Sequence, residues 1–247
     1  MPEARNIAEL YKDKNQTYFS HVRWEIINLI QTGDHKILDV GCGAGRTLRE
    51  LKALGKASEI VGIEINQKAA ADASDHLDGL FIGDVETIDL PYPDKYFDYI
   101  LFGDVLEHLI NPGVVLHKYK NLLSDDGYII ATVPNIKHYS VLLGLILFDE
   151  FKYTDGGLLD RSHLRFFTKK EIIRMFRDEQ LEVADLFAIQ KQSSVEQALH
   201  SSKITSRVLD SVLRPAYRLS RLPHNSFFAV QYVIKAKKRT KLKIDAS

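Results

Sequence analysis

Residues 37–45 read Ile-Leu-Asp-Val-Gly-Cys-Gly-Ala-Gly, and no other stretch limits so tightly what this chain can fold into. Ile37, Leu38 and Val40 make a short apolar run broken only by Asp39, the pattern of a strand buried on both faces. Gly41, Gly43 and Gly45 follow at alternate positions, where the backbone can turn sharply and approach a ligand with no Cβ in the way. From Arg46 to Leu51 the spacing is helical. A strand that hands over to a helix through a glycine turn places a ligand at the carboxyl edge of an open parallel sheet. The dinucleotide fingerprint has the spacing Gly-x-Gly-x-x-Gly. Here the run is Gly-x-Gly-x-Gly, followed by Arg46.

The same alternation continues along the chain. Apolar runs predict strands at 36–40, 59–65, 79–82, 97–102, 128–133, 183–189 and 227–234. Helical spacing predicts helices at 16–30, 47–54, 66–76, 111–123 and 168–176, the last begun by the capping box Thr168-Lys169-Lys170-Glu171. Pro91 and Pro93 hold 90–94 in a loop. Strands alternating with helices predict an α/β fold, a mostly parallel sheet with helices on both faces. We expect a single domain over 1–247, with a helical cover at 1–33 and a lid insert at 135–165. A second, basic amphipathic insert at 194–222 separates strands 6 and 7, and a basic tail occupies 237–247.

Four carboxylates recur where these strands end: Asp39, Glu64, Asp84 and Asp104. All are expected at one edge of the sheet, above the glycine turn. A carboxylate at the end of strand 2 can accept both hydroxyl protons of a ribose, and Glu64 lies 19 residues after Gly45, the spacing at which such a ligand is placed. Asp84 is suited to an adenine amino group. Asp39 favours a cationic ammonium or sulfonium and repels a pyrophosphate, a charge logic that favours S-adenosylmethionine over NAD.

Composition narrows the surroundings. Of 247 residues 45% are hydrophobic and 27% charged, as in an ordinary globular protein, and the formal net charge is zero. The charge is uneven. Residues 196–247 carry 11 Lys/Arg and 3 Asp/Glu, a net of +8, so residues 1–195 carry −8. The basic stripe of Lys203, Arg207, Arg214, Arg218 and Arg221 suits an anionic membrane surface or a phosphorylated substrate, or is simply a solvated face. No nucleic-acid partner is expected, because no RNA-binding module is present. A single cysteine, Cys42, excludes an internal disulfide and fits a reducing compartment. The longest apolar run, 141–148, is far short of the ~20 residues that span a bilayer. The expected location is the cytoplasm, with the inner membrane face as a peripheral alternative.

Taken in order, 37–45, Val61-Gly62-Ile63-Glu64, Gly83-Asp84-Val85-Glu86, Leu90-Pro91-Tyr92-Pro93-Asp94 with Phe97-Asp98, and Asp104-Val105-Leu106-Glu107-His108-Leu109 resemble successive motifs of class I S-adenosylmethionine-dependent methyltransferases. The resemblance covers about residues 19–190. It is nearest to the ubiquinone-type O-methyltransferase branch, including bacterial members that modify sugars, glycolipids or secondary metabolites. Asp160 to Thr168 also resembles a segment of that branch. The resemblance implies a Rossmann-like seven-stranded sheet in the order 3-2-1-4-5-7-6 with strand 7 antiparallel. It also implies cofactor contacts from Asp39, Gly41, Gly43, Gly45, Glu64, Asp84, Val85 and Asp104. The insert between strands 6 and 7 is longer than the basic fold requires.

Methyl transfer needs an in-line approach and exclusion of water, and a hydroxyl acceptor also benefits from a base. His108 and His163 are the candidate bases, each with a packing or lid-contact role as the alternative, and His138 is a weaker candidate. No metal-ligand spacing is evident in the sequence. The leading expectation is transfer to a hydroxyl of a small-molecule, sugar or lipid-linked acceptor. The rivals are N-methylation of an amino sugar and a non-catalytic cofactor-binding interaction module. The oligomeric state is not encoded in any of these features.

Overall fold

The computed structural model describes residues 19–190 and 226–239. Seven strands form one sheet: β1 (Lys36–Val40), β2 (Glu59–Glu64), β3 (Gly79–Ile82), β4 (Phe97–Gly103), β5 (Leu123–Pro134), β6 (Leu181–Ile189) and β7 (Gln231–Lys238). Their order is β3-β2-β1-β4-β5-β7-β6, and β7 runs antiparallel to both of its neighbours. The expected topology is the one observed.

The period-two alternation of side chains divides the core between the two faces of the sheet. Leu38, Val40, Val61, Ile63, Ile100 and Phe102 face one side, where Val115 and Tyr119 of α4 (Pro112–Leu122) and Ile172 and Phe176 of α6 (Lys169–Asp178) cover them. Ile37, Ile60, Tyr99, Leu101 and Ile130 face the other, under Ile26 and Ile27 of α1 (Trp24–Ile27) and Leu48 and Leu51 of α2 (Arg46–Ala53). Apolar residues on both faces are what bury β1 and β4 at the centre, and the loops after these strands therefore rise from a rigid floor.

Several boundaries differ from expectation for physical reasons. Among the described residues the first helix is a single turn, Trp24–Ile27, and not the helix expected over 16–30. The chain before it is held over the glycine turn, where the Phe19 carbonyl accepts from Ala44 N–H at 3.0 Å and Arg23 N–H donates to Thr47. β7 lies four residues beyond the expected start. Phe227 and Phe228 instead form a turn that packs on Tyr139, with ring centroids 5.9 and 5.6 Å away. Lys237 and Lys238, assigned to a basic tail by charge, complete the strand. Within it Lys235 reaches the Leu29 carbonyl and lies 4.3 Å over the ring of Tyr128, so the lysine stems serve as packing surface. The basic insert at 194–222, the tail beyond 239 and the first part of the N-terminal cover lie outside the described residues.

Half of the expected capping box at α6 is observed: Thr168 accepts from Glu171 N–H at 3.4 Å, while the Glu171 carboxylate pairs with Arg174. Replacing the cap removes a partner from an orphan helix donor. Thr168→Ala should lower stability by about 1 kcal/mol, read as a shifted urea midpoint at unchanged slope.

Candidate active site

The glycine turn after β1 is left-handed at each alternate residue, with φ of +78° at Gly41, +56° at Gly43 and +68° at Gly45. A Cβ on Gly43 would stand 2.6 Å from the Phe19 carbonyl oxygen, and one on Gly41 would stand 2.6 Å from Val105 Cγ2. The turn's own N–H groups are consumed internally. Gly41 and Cys42 donate to the Ile63 carbonyl, Gly43 to Glu64 Oε2 at 2.8 Å, Ala44 to Phe19 and Gly45 to Cys42. A pyrophosphate needs such donors, so the turn is built as a wall rather than as an anion cradle.

Asp39, Gly41, Gly43, Glu64, Asp84, Val85, Asp104 and His108 line one pocket together with Phe19 and Arg23. The strand-end carboxylates thus converge as the sequence indicated. Gly45 does not line it. It is the N-cap of α2, and its Cα faces Ala73 at the end of α3 (Gln67–Ala73), where a Cβ would come within 3.2 Å. Its glycine identity serves helix packing and backbone geometry.

The carboxylates differ in how they are held. Glu64 accepts Gly43 N–H on one oxygen and Asn66 N–H on the other, both at 2.8 Å, so it is fixed with lone pairs left for a ligand. Burial raises its pKa and these amides oppose the rise. Asp39 is buried, and desolvation raises its pKa to about 7, with the Arg23 guanidinium pulling it down and Glu64 pushing it up. Asp84 accepts Glu86 N–H on Oδ1. Asp104 sits at φ +54° and is committed to the protein: Thr132 and Gln231 donate to Oδ1, and Arg23 pairs with Oδ2. Its part is to hold Arg23 at the pocket wall. Arg23 carries no motif signal. Only the fold shows that Gly103 leaves room for it, since a Cβ there would collide with the guanidinium.

A second cavity, of about 260 Å³, shares Asp104 and His108 with this pocket and is otherwise lined by Glu107, Pro134, Leu158, Asp160, His163 and Gln231 among others. The segment 135–165 reaches it because Leu164 and Arg165 N–H groups both donate to the Glu107 carbonyl, at 2.8 and 2.9 Å. That seam brings His163 against His108, edge to face, with ring centroids 4.8 Å apart. Burial and the neighbouring His163 lower the pKa of His108 to about 4, so its ring is neutral at pH 7. Burial, with Asp104 nearby, raises that of Glu107. His138 lies apart from this pair. It caps α5 (Tyr139–Phe148) through Ser140, a structural role.

Residues 5–186 match the family model described as a methyltransferase domain. Over 161 residues the chain is 27% identical to a ubiquinone biosynthesis O-methyltransferase of Bradyrhizobium diazoefficiens, a match that covers 62% of this chain and 60% of that protein. Over 201 residues it is 32% identical to an uncharacterized protein of Methanocaldococcus jannaschii, covering 74% and 75%. The crystal structure of a SAM-dependent methyltransferase from Archaeoglobus fulgidus is similar with a TM-score of 0.64 at 18% identity, over 91% of this chain and 95% of that one, which speaks to the fold.

Proposed function

The chain belongs to the methyltransferase-domain family, and on that premise we propose that it transfers a methyl group from S-adenosylmethionine to a hydroxyl of a small acceptor held in the second cavity. The first pocket fits this cofactor by its chemistry. Asp39 suits the cationic ammonium, Glu64 the ribose hydroxyls and Asp84 the adenine amino group, and a turn without spare N–H donors suits a nucleoside that carries no phosphate. When bound, the cofactor supplies a methyl carbon already activated on a sulfonium. The protein's part is to position and to exclude water. Glu64 fixes the nucleoside, Arg23 and Asp104 close one wall, and 157–163 roof the acceptor cavity.

The observation that carries the acceptor reading is the common wall: the two cavities meet at Asp104 and His108, so an acceptor in the second borders the first. His108 and His163 face it as positioning groups, and a ring kept neutral by burial can accept a hydrogen bond from an acceptor hydroxyl. An amine would be drawn by the carboxylates around the cavity. Asp104 is spent on three protein donors, however, Asp160 on the Ser162 amide and hydroxyl, and burial favours the uncharged form of Glu107. Hence the hydroxyl reading is preferred. A lipid-linked acceptor has its own support. α5, beside the roof, exposes Leu143, Leu145, Ile146, Leu147 and Phe148, while no helix among the described residues is long and apolar enough to cross a membrane.

The test is methyl-labelled cofactor offered with phenolic acceptors, with and without an isoprenoid tail, and with an amino sugar. Label on a phenolic oxygen supports the reading, and preference for the tailed acceptor supports its lipid form. Label on the amino sugar alone, or on none of them, refutes it. In the same assay His163→Ala should lower kcat about tenfold. Its cofactor Kd should stay within about twofold of wild type, because His163 does not line the first pocket.

A further inference from the structure

Glu107 and the adjacent His108 meet His163, 55 residues further along the chain, and all three are buried. One donor atom from each can be chosen so that all lie within 4.8 Å of one another. The two imidazoles are set up alike. His108 Nδ1 lies 3.0 Å from the Ser162 carbonyl oxygen, and His163 Nδ1 lies 3.1 Å from that of Leu158. A carbonyl can only accept, so each Nδ1 carries a hydrogen, and Nε2 is the nitrogen that can offer a lone pair. Anchoring one ring nitrogen to a backbone carbonyl while the other is presented is how proteins orient imidazoles toward a metal. An independent observation comes from Glu107. Its side chain is 1% exposed, yet neither carboxylate oxygen has a hydrogen-bond partner among the described residues. Leaving a buried carboxylate so is costly, on the order of several kcal/mol if it is ionised. A cation removes that cost.

We propose that Glu107, His108 and His163 bind one divalent first-row transition-metal ion. Two imidazole nitrogens and one carboxylate oxygen suit zinc, iron or cobalt and do not suit magnesium or calcium, which prefer all-oxygen shells. Three protein donors leave a coordination position on the side of the second cavity, which the same three residues line. If the acceptor reading holds, an acceptor oxygen would bind at that position and be acidified there, in place of the direct hydrogen bond to His108 Nε2, whose lone pair the metal then uses. The binding claim does not depend on it.

The experiment uses the full chain, dialysed against chelator and titrated with Co²⁺ by visible absorption and with Zn²⁺ by competition with a chromophoric chelator. The expected result is one equivalent of either ion, no comparable binding of Mg²⁺, and at least about tenfold weaker Zn²⁺ binding in His163→Ala and in Glu107→Gln. His117→Ala, which removes the exposed His117–Glu179 pair, should change nothing. The proposal is overturned if folded wild-type chain, checked by circular dichroism, binds neither ion. It is overturned equally if His163→Ala binds like wild type or if His117→Ala abolishes binding. Calorimetry with S-adenosylmethionine on the same samples separates this from the function: loss of cofactor binding by wild type would sink the methyltransferase reading while leaving the metal result standing.

Discussion

Glu64→Ala should weaken S-adenosylmethionine binding by about 10²–10⁴-fold. The estimate rests on two charge-assisted hydrogen bonds to ribose hydroxyls, each worth about 1.5–3 kcal/mol. The loss is not confined to the ligand, because the same carboxylate accepts Gly43 N–H and Asn66 N–H. Without it the glycine turn and the start of α3 lose their common anchor, and the cradle loosens in the free protein as well. Glu64→Gln separates the two effects. One amide oxygen can still accept from Gly43, so the turn survives, while the second acceptor becomes a donor. That variant should lose only about tenfold, the value of a single such bond. Titration calorimetry on both, with circular dichroism to confirm the fold, decides the matter. An alanine variant that binds within tenfold of wild type would remove Glu64 from the cofactor site.

The contrast between Glu64 and Arg23 shows what can be read from the sequence and what cannot. Glu64 was visible because strand periodicity fixes where β2 ends, and parallel topology sends every strand end to one edge. The same reasoning brought Asp39, Asp84 and Asp104 together, whereas the strand order came only from the resemblance to class I methyltransferases. It failed where a residue's part depends on contacts between distant segments. Gly45 looks like its two neighbours in the motif, yet it serves packing against Ala73. Asp104 looks like a ligand, yet its oxygens are taken by Arg23, Thr132 and Gln231, three residues from three separate segments. The Glu107–His108–His163 cluster was invisible for the same reason. His163 is 55 residues beyond His108, and only the amides of Leu164 and Arg165 on the Glu107 carbonyl bring the two together. Charge alone also misplaced Lys237 and Lys238, because a lysine at the edge of a strand can pack its stem and still reach solvent.

The second large effect is a pH dependence that belongs to Asp39. In the free protein burial raises this carboxyl to about 7, Arg23 opposes the rise and Glu64 adds to it. A cationic ammonium is attracted only to the ionised form, so binding and deprotonation are linked. Below about pH 7 the affinity for S-adenosylmethionine should fall about tenfold per pH unit, reaching about 10²-fold at pH 5. Above about pH 8 the ligand's own α-amino group begins to lose its proton, so affinity peaks between these limits. Stability of the free chain runs the other way. With the folded pKa above the ordinary 3.8, the folded state holds a proton between about pH 4 and 7 that the unfolded state has released. The Asp39 contribution is therefore fully present below pH 4 and is lost as pH rises to 7. Cofactor should accordingly raise the melting temperature more at pH 7.5 than at pH 5. Asp39→Asn cannot ionise. It should bind about 10²-fold more weakly at pH 7.5 and show no tenfold-per-unit slope below 7, while any residual slope would report Glu64, whose pKa burial also raises. A wild-type affinity that stays flat from pH 5 to 7, or an asparagine variant with an unchanged slope, would show that the ammonium is held elsewhere and that Asp39 serves only to steady Arg23.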